Sequence, residues 1–385
     1  MLGRAVLTRQ KVALMKRPLF LLLTTLFLLA CALVSPRATP APLPPTALPL
    51  ALPSATPPPL PTASPPAPPT DSPPPATLTA SATQAPSPTS TPAAPGALAR
   101  QHITFISEEL GPRPAGSEAE IQTAQYLQST LEGLVYTVQL QPFTKVGWVG
   151  EDERETWIHS ANVIAAKAGD SEKMIMIGAH YDSVTVGHGA DDNASGVAVL
   201  LELAETLRDT PTPYTLRFVA FGAEEVGPLG SDAYVEQLSR EERRNTIAMI
   251  NLDSVIAGDH LYVYSLEGQW AVVRDWMLAW AAQNGIVLKT ILHVDLSDED
   301  GYPTADYAAF QNVGIPFAYF EATNWTLGNR DGYTQVDPQY GDAGSIFHTP
   351  YDRLDYLDEV FPGRVDEHLK LVVSVVRAIL MEYEP

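Results

Sequence analysis

The 385-residue sequence predicts an α/β fold, a mostly parallel but mixed central sheet with helices on both faces. Three observations carry this expectation. Short, mainly apolar runs at 174–177, 215–221, 249–252 and 316–320 read as strands buried on both sides, as parallel strands are. Stretches with helical spacing alternate with them. The first three runs also lead, within a few residues, into His180, Glu224-Glu225 and Asp253. In open α/β sheets the functional site lies beyond the strand C-termini.

Taken in order, residues 102–109 and 118–131 have helical spacing, and the GPRPAGS turn between them (111–117) breaks any helix. Residues 136–143 and 162–167 read as paired edge strands. The run 174–177 is a buried strand followed at once by Gly178-Ala179-His180. Residues 195–207 read as an amphipathic helix, with Asn193 or Ser195 as its cap. Strand 215–221 precedes Glu224-Glu225, strand 249–252 leads into Asp253, strand 316–320 precedes the last loops, and 365–381 closes as a helix.

Three parts of unequal character precede and include this pattern. Residues 1–31 read as an export signal of lipoprotein type. Arg4, Arg9, Lys11, Lys16 and Arg17 stand before an apolar run of about 17 residues, short for a membrane span. That run ends in Leu28-Leu29-Ala30-Cys31, which resembles a lipobox and places a lipid anchor on Cys31, the chain's only cysteine. No intrachain disulfide is then possible. Residues 32–97 read as a disordered linker, since 36–97 hold 22 of the 35 prolines, and Ala, Thr, Ser and Leu fill most of the rest. Extended at about 3.1 Å per residue, such a tether reaches on the order of 150 Å. Residues 98–385 read as the globular domain.

The charge is uneven. Residues 1–97 hold 6 of the 24 Lys and Arg and 1 of the 45 Asp and Glu. The remainder therefore has 18 basic and 44 acidic residues and a net charge of −26, against −21 for the chain. That acidity argues against nucleic acid or anionic lipid as a partner of the domain.

Five residues, His180, Asp192, Glu225, Asp253 and His348, make a nitrogen-and-oxygen ligand set without thiolate, which suits a pair of zinc ions. Glu224, next to one of them, is a spare carboxylate able to serve as general base. Singly, each residue has a plainer reading: a hydrogen-bonded histidine, a solvated glutamate pair, an aspartate in a turn. Together they follow separate strands of one sheet edge, and clustered carboxylates without a cation repel one another.

The segments GPRPAGSEAE, HYDS, GADDNASG, AEEVGPLGS, NLDS, GIP (314–316) and HTPYD resemble the co-catalytic zinc aminopeptidases, a family that includes aminopeptidase Y and the glutaminyl cyclases. The resemblance covers most of residues 98–383. It implies a zinc-exopeptidase fold of the phosphorylase/hydrolase-like type and two zinc ions. Asp192 would bridge them, with His180 and Asp253 on one and Glu225 and His348 on the other. Glu224 would be the base, and Asp182 would orient His180. Tyr302 is placed as an oxyanion donor, near Ala305-Asp306-Tyr307, where many relatives carry Ser-Asp-His.

Three functions are compatible with these residues. The first is a secreted or surface-tethered aminopeptidase acting on the N-terminus of peptides or proteins. The second is a glutaminyl cyclase, which the Asp-Asn-Ala-Ser-Gly stretch disfavours. The third is a non-catalytic ectodomain, which the complete ligand set disfavours. The substrate pocket is expected from loops 267–270, 295–302 and 321–347.

Overall fold

The computed structural model describes residues 93–149, 154–292, 305–330 and 332–384. Residues 1–92, on which the expected export signal, Cys31 and most of the expected linker fall, and Tyr302 lie outside the described residues.

Among the described residues, seven strands form one sheet. They are β1 (Val138–Val149), β2 (Arg154–Lys167), β3 (Met174–His180), β4 (Thr215–Phe221), β5 (Thr246–Leu252), β6 (His260–Tyr264) and β7 (Phe317–Thr323). Their order is β1-β2-β4-β3-β5-β7-β6. The central pairings β4–β3, β3–β5 and β5–β7 are parallel, and the flanking β1–β2, β2–β4 and β6–β7 are antiparallel. The fold is α/β with a mixed sheet. Because β3, β4 and β5 run side by side in one direction, His180, Phe221 and Leu252 end on one edge.

The helices are α1 (Ala97–Ile103), α2 (Glu118–Gly133), α3 (Gly196–Leu207), α4 (Leu229–Gln237), α5 (Arg240–Asn245), α6 (Val272–Gln283), α7 (Tyr307–Asn312), α8 (Leu354–Val360) and α9 (Arg364–Glu382). One face of the sheet, with Ile175, Ile177, Ile250 and Phe320, packs on α1, α3, α6 and α9. The other, with Met176, Phe221, Met249 and Phe317, packs on Tyr234 of α4 and Phe310 of α7. Apolar surface of this extent is the main favourable term in folding.

Two expectations are corrected. The 162–167 segment is not at an edge, since β2 pairs with β1 on one side and β4 on the other. Its exposed start, which pairs only with β1 and extends the hairpin beyond the central sheet, obscured that. Helix α3 is not amphipathic, because every residue from Gly196 to Ala204 is buried. It lies between the sheet and α1, where its one carboxylate has a task. Glu202 accepts the backbone N–H groups of Gly96 (2.8 Å) and Ala99 (2.8 Å), satisfying the free donors at the start of α1. Gly96 has φ 90°, and a Cβ there would stand 2.8 Å from the Lys370 nitrogen.

Candidate metal centre and catalytic loop

Three strand ends and two loops supply the site. His180 is the last residue of β3. Glu224 and Glu225 follow β4 by three and four residues, and Asp253 follows β5 directly. Asp192 lies in the irregular turn Ala190–Ser195, where it and Asn193 leave helical geometry and are joined by a cis peptide bond. His348 lies in the loop before α8, with left-handed φ of 58°.

The structure brings all five predicted ligands together, in two groups. His180, Asp192 and Asp253 form one, and Asp192, Glu225 and His348 form the other, with ligand atoms within 4.8 Å of one another in each. Asp192 is shared. Its Oδ1 is 3.2 Å from His180 Nε2, and its Oδ2 is 3.0 Å from His348 Nε2. His180 Nε2 is 3.4 Å from Asp253 Oδ1, and His348 Nε2 is 2.9 Å from Glu225 Oε2. Ligands at about 2.0 Å from a tetrahedral zinc stand roughly 3.3 Å from each other, so these spacings fit such an ion. The groups differ in access: the His180 side chain is 1% exposed and that of His348 is 49% exposed.

The glutamate loop is held in an unusual way. Four successive backbone N–H groups after β4 each donate to a buried side-chain oxygen. Gly222 donates to Asn162 (3.2 Å) and Ala223 to Glu120 (3.1 Å). Glu224 donates to Oδ1 of Asp182 (2.9 Å) and Glu225 to its Oδ2 (3.1 Å). Asp182 therefore reaches beyond its expected partner. Its Oδ1 is 3.6 Å from His180 Nδ1, which is closer to the Asp182 carbonyl oxygen, at 3.2 Å.

A second polar network, not anticipated from the sequence, supports the shared aspartate. Asp352 accepts the N–H groups of Asp191 (2.6 Å) and Asp192 (3.1 Å). Asp191 in turn accepts from Ile256 N (2.8 Å), Ala257 N (3.0 Å) and Gln335 Nε2 (2.7 Å). Gln335 Oε1 accepts from Ile346 and Phe347, both at 2.9 Å, which fixes the chain just before His348. Asn193, rather than Ser195, caps α3 by accepting from Gly196 N at 2.9 Å. Ser195 Oγ instead donates to the Asp191 carbonyl and accepts from Val255 N. The available signal was the first acid of GADD and the acid of HTPYD.

Beneath these carboxylates lies Arg113, fully buried. Its guanidinium donates to the carbonyls of Tyr181 (2.7 Å), Gly111 (3.1 Å), His188 (2.8 Å) and Gly189 (3.0 Å). Burial pushes Asp191, Glu225 and Asp306 each up to about 7. Burial also drives Glu224 well above the usual carboxylate range, with Asp306 and Asp253 adding to it against His180. For Asp192 burial acts the same way, but hydrogen bonds from His180 and His348 outweigh it and hold the group below the ordinary range. A bound dication would return such groups to their ionised form. The donor set and its charge therefore fit zinc.

Residues 162–373, which contain all five of these positions, match the profile of peptidase family M28. The chain belongs to peptidase family M28. It is 32% identical over 312 residues to the alkaline phosphatase isozyme conversion protein of Escherichia coli, covering 75% of this chain and 90% of that protein. It is 32% identical over 234 residues to aminopeptidase YwaD of Bacillus subtilis, covering 59% of this chain and 46% of that one. Among solved structures, an aminopeptidase from Aneurinibacillus sp. strain AM-1 superposes with a TM-score of 0.59 at 22% identity, over 75% of this chain and 95% of that one. A glutaminyl cyclase of Porphyromonas gingivalis superposes with a TM-score of 0.56 at 23% identity, over 74% and 98%. These two likenesses are of fold. As an M28 member this chain is a metallopeptidase, with relatives among the zinc aminopeptidases.

Proposed function

We propose that this M28 peptidase is a di-zinc aminopeptidase that removes the first residue of peptides or proteins. One observation supports this most: the two oxygens of Asp192 face different histidines, each within a separate three-residue donor group. His180 and Asp253 would hold one ion, Glu225 and His348 the other, with Asp192 between them.

When bound, the zinc pair supplies Lewis acidity and lowers the pKa of an attacking water. Glu224 takes a proton from that water and returns it to the leaving amine. Asp182, through the Glu224 N–H, keeps this carboxylate at the site. The half-exposed His348 marks the side from which a substrate enters. The carboxylates lining the site attract and position a substrate's cationic α-amino group.

Aminoacyl-nitroanilides compared with their N-acetylated forms, with and without chelator, test the assignment. We expect chelation to abolish release and acetylation to lower kcat/KM at least about tenfold, roughly 1.4 kcal/mol. Equal rates on free and blocked substrates would overturn the exopeptidase reading. Ring closure of an N-terminal Gln peptide without amide cleavage would make the chain a cyclase.

Residues 1–31 are proposed to export the chain, with Cys31 lipidated, 32–97 as tether and 98–385 as the peptidase. Among the described residues no helix is long and apolar enough to cross a membrane. Cys31→Ser is expected to move the protein from membranes to the soluble fraction. Soluble wild-type protein in its native host would refute the anchor.

A further inference from the structure

A cavity of about 550 Å³, lined by none of the metal-centre residues, opens between the end of α8, the start of α9 and the start of β6. Sites for small molecules span roughly 300–1,000 Å³. Arg364, Glu367, His368 and Leu371 all line it, at i, i+3, i+4 and i+7 of α9, so one stripe of that helix faces the cavity. Leu261 of β6 and the exposed Val287 complete an apolar wall with Leu371.

Two polar groups on this stripe have bonding capacity left over. His368 is 7% exposed, and its Nδ1 has no partner among the described residues. The ring hydrogen-bonds the Ile256 backbone, so that bond uses Nε2. An N–H given to the Ile256 carbonyl leaves Nδ1 as a bare acceptor, since burial, with Arg364 and His260, keeps the ring neutral. Arg364 stacks on the Phe361 ring, 3.9 Å from its centroid. It donates Nη1 to the Ala257 carbonyl (2.8 Å) and Nη2 to Asp259 Oδ1 (3.0 Å). A guanidinium carries five N–H donors, so Arg364 has others to give.

The cavity thus holds an acceptor and a carboxylate, on His368 and Glu367, beside a charged donor, on Arg364, with an apolar wall next to them. A lone anion would leave His368 Nδ1 unmet, and a lone cation would face the Arg364 guanidinium. A zwitterion satisfies both: its ammonium donates to Nδ1 and faces Glu367, and its carboxylate accepts from Arg364.

The same two side chains reach towards the metal centre. They hold the carbonyls of Ile256 and Ala257, whose own N–H groups donate to Asp191 Oδ1 at 2.8 and 3.0 Å. Asp191 precedes the shared Asp192. Asp259 N donates to the Gln335 carbonyl (2.9 Å), and Gln335 Nε2 donates to the other Asp191 oxygen (2.7 Å).

We propose that this cavity binds a free amino acid with an apolar side chain, at a site separate from the metal centre and coupled to it through residues 256–257. The site itself is argued from its own side chains; the coupling rests on the aminopeptidase reading, whose product is of this class.

Equilibrium dialysis of radiolabelled L-leucine against the zinc-loaded full chain tests the site. Val287→Trp fills the cavity from an exposed position, and Glu367→Lys reverses the charge facing the ammonium; neither touches the metal centre. Wild type should bind one more leucine per chain than either variant. Neither 4-methylpentanoate, which lacks the ammonium, nor 3-methylbutylamine, which lacks the carboxylate, should displace it at equal concentration. At saturating aminoacyl-nitroanilide, leucine should change kcat at least about twofold in wild type and leave it unchanged in both variants. Leucine acting at the metal centre alone would raise only KM. Equal leucine counts in all three proteins, or displacement by 4-methylpentanoate, would overturn the site. An extra leucine with unchanged kcat would overturn the coupling. If no free-amino substrate is cleaved, the aminopeptidase reading and the coupling fail, while the leucine count still decides the site.

Discussion

Replacing Asp182 by asparagine removes one acceptor from a group that uses both. Its two oxygens receive the N–H groups of Glu224 and Glu225 at 2.9 and 3.1 Å, in a fully buried setting. Asparagine is nearly isosteric but offers one oxygen and one NH₂. In either orientation a backbone N–H then faces a donor. A buried donor left without a partner costs about 1–3 kcal/mol. For a domain of this size the unfolding entropy is roughly 0.6 kcal/mol/K, so a loss of about 2 kcal/mol lowers Tm by about 3 °C. The same change loosens the glutamate loop and the carboxylate beside His180 Nδ1. Loss of such supports weakens metal binding about 10- to 100-fold. Calorimetry and zinc titration of Asp182→Asn against wild type measure both effects. A variant with wild-type Tm, zinc affinity and kcat would show that the Asp182 contacts hold neither the loop nor the metal.

Glu224→Gln is expected to keep its zinc while losing on the order of 10² to 10⁴ in kcat, whereas Asp192→Asn should lose metal and activity together; metal analysis beside kinetics separates the two, and a fully active Glu224→Gln would refute the base. His368 carries a pH prediction. Burial, with Arg364 and His260, lowers its pKa to about 3, so the folded protein keeps it neutral while the unfolded chain protonates it near 6.5. The stability it contributes is complete above about 6.5 and declines as pH falls, by about 1.4 kcal/mol per pH unit down to about 3. His368→Gln should therefore lose about 2 kcal/mol less than wild type between pH 7 and 5 in denaturant titrations, and an identical pH dependence would contradict the assignment.

Sequence reasoning reached the alternation of strands and helices and all five members of the two donor groups. It did so because three of the short apolar runs lead into residues whose chemistry has few uses, a parallel sheet brings their ends to one edge, and the motifs around Asp192 and His348 carry the family resemblance. The pairing of β2 on both sides was not legible, since half of that strand is exposed and reads as polar. Strand β6 was missed too, being only five residues on the antiparallel edge. The roles of Asp352, Asp191 and Gln335 could not be read either. They act through hydrogen bonds to backbone groups as many as 161 residues away in the chain, and spacing along a sequence does not encode such contacts.

The sequence by itself determined the residue types of the candidate donor set, the spare carboxylate beside them and the edge on which they meet, because composition and strand periodicity are local properties. Tertiary structure decided which histidine faces which oxygen of Asp192, which side of the site is open, and which carboxylates hold backbone N–H groups instead of joining the donor groups. Those outcomes depend on distances of about 3 Å between loops far apart in the chain, and only the packed sheet sets them.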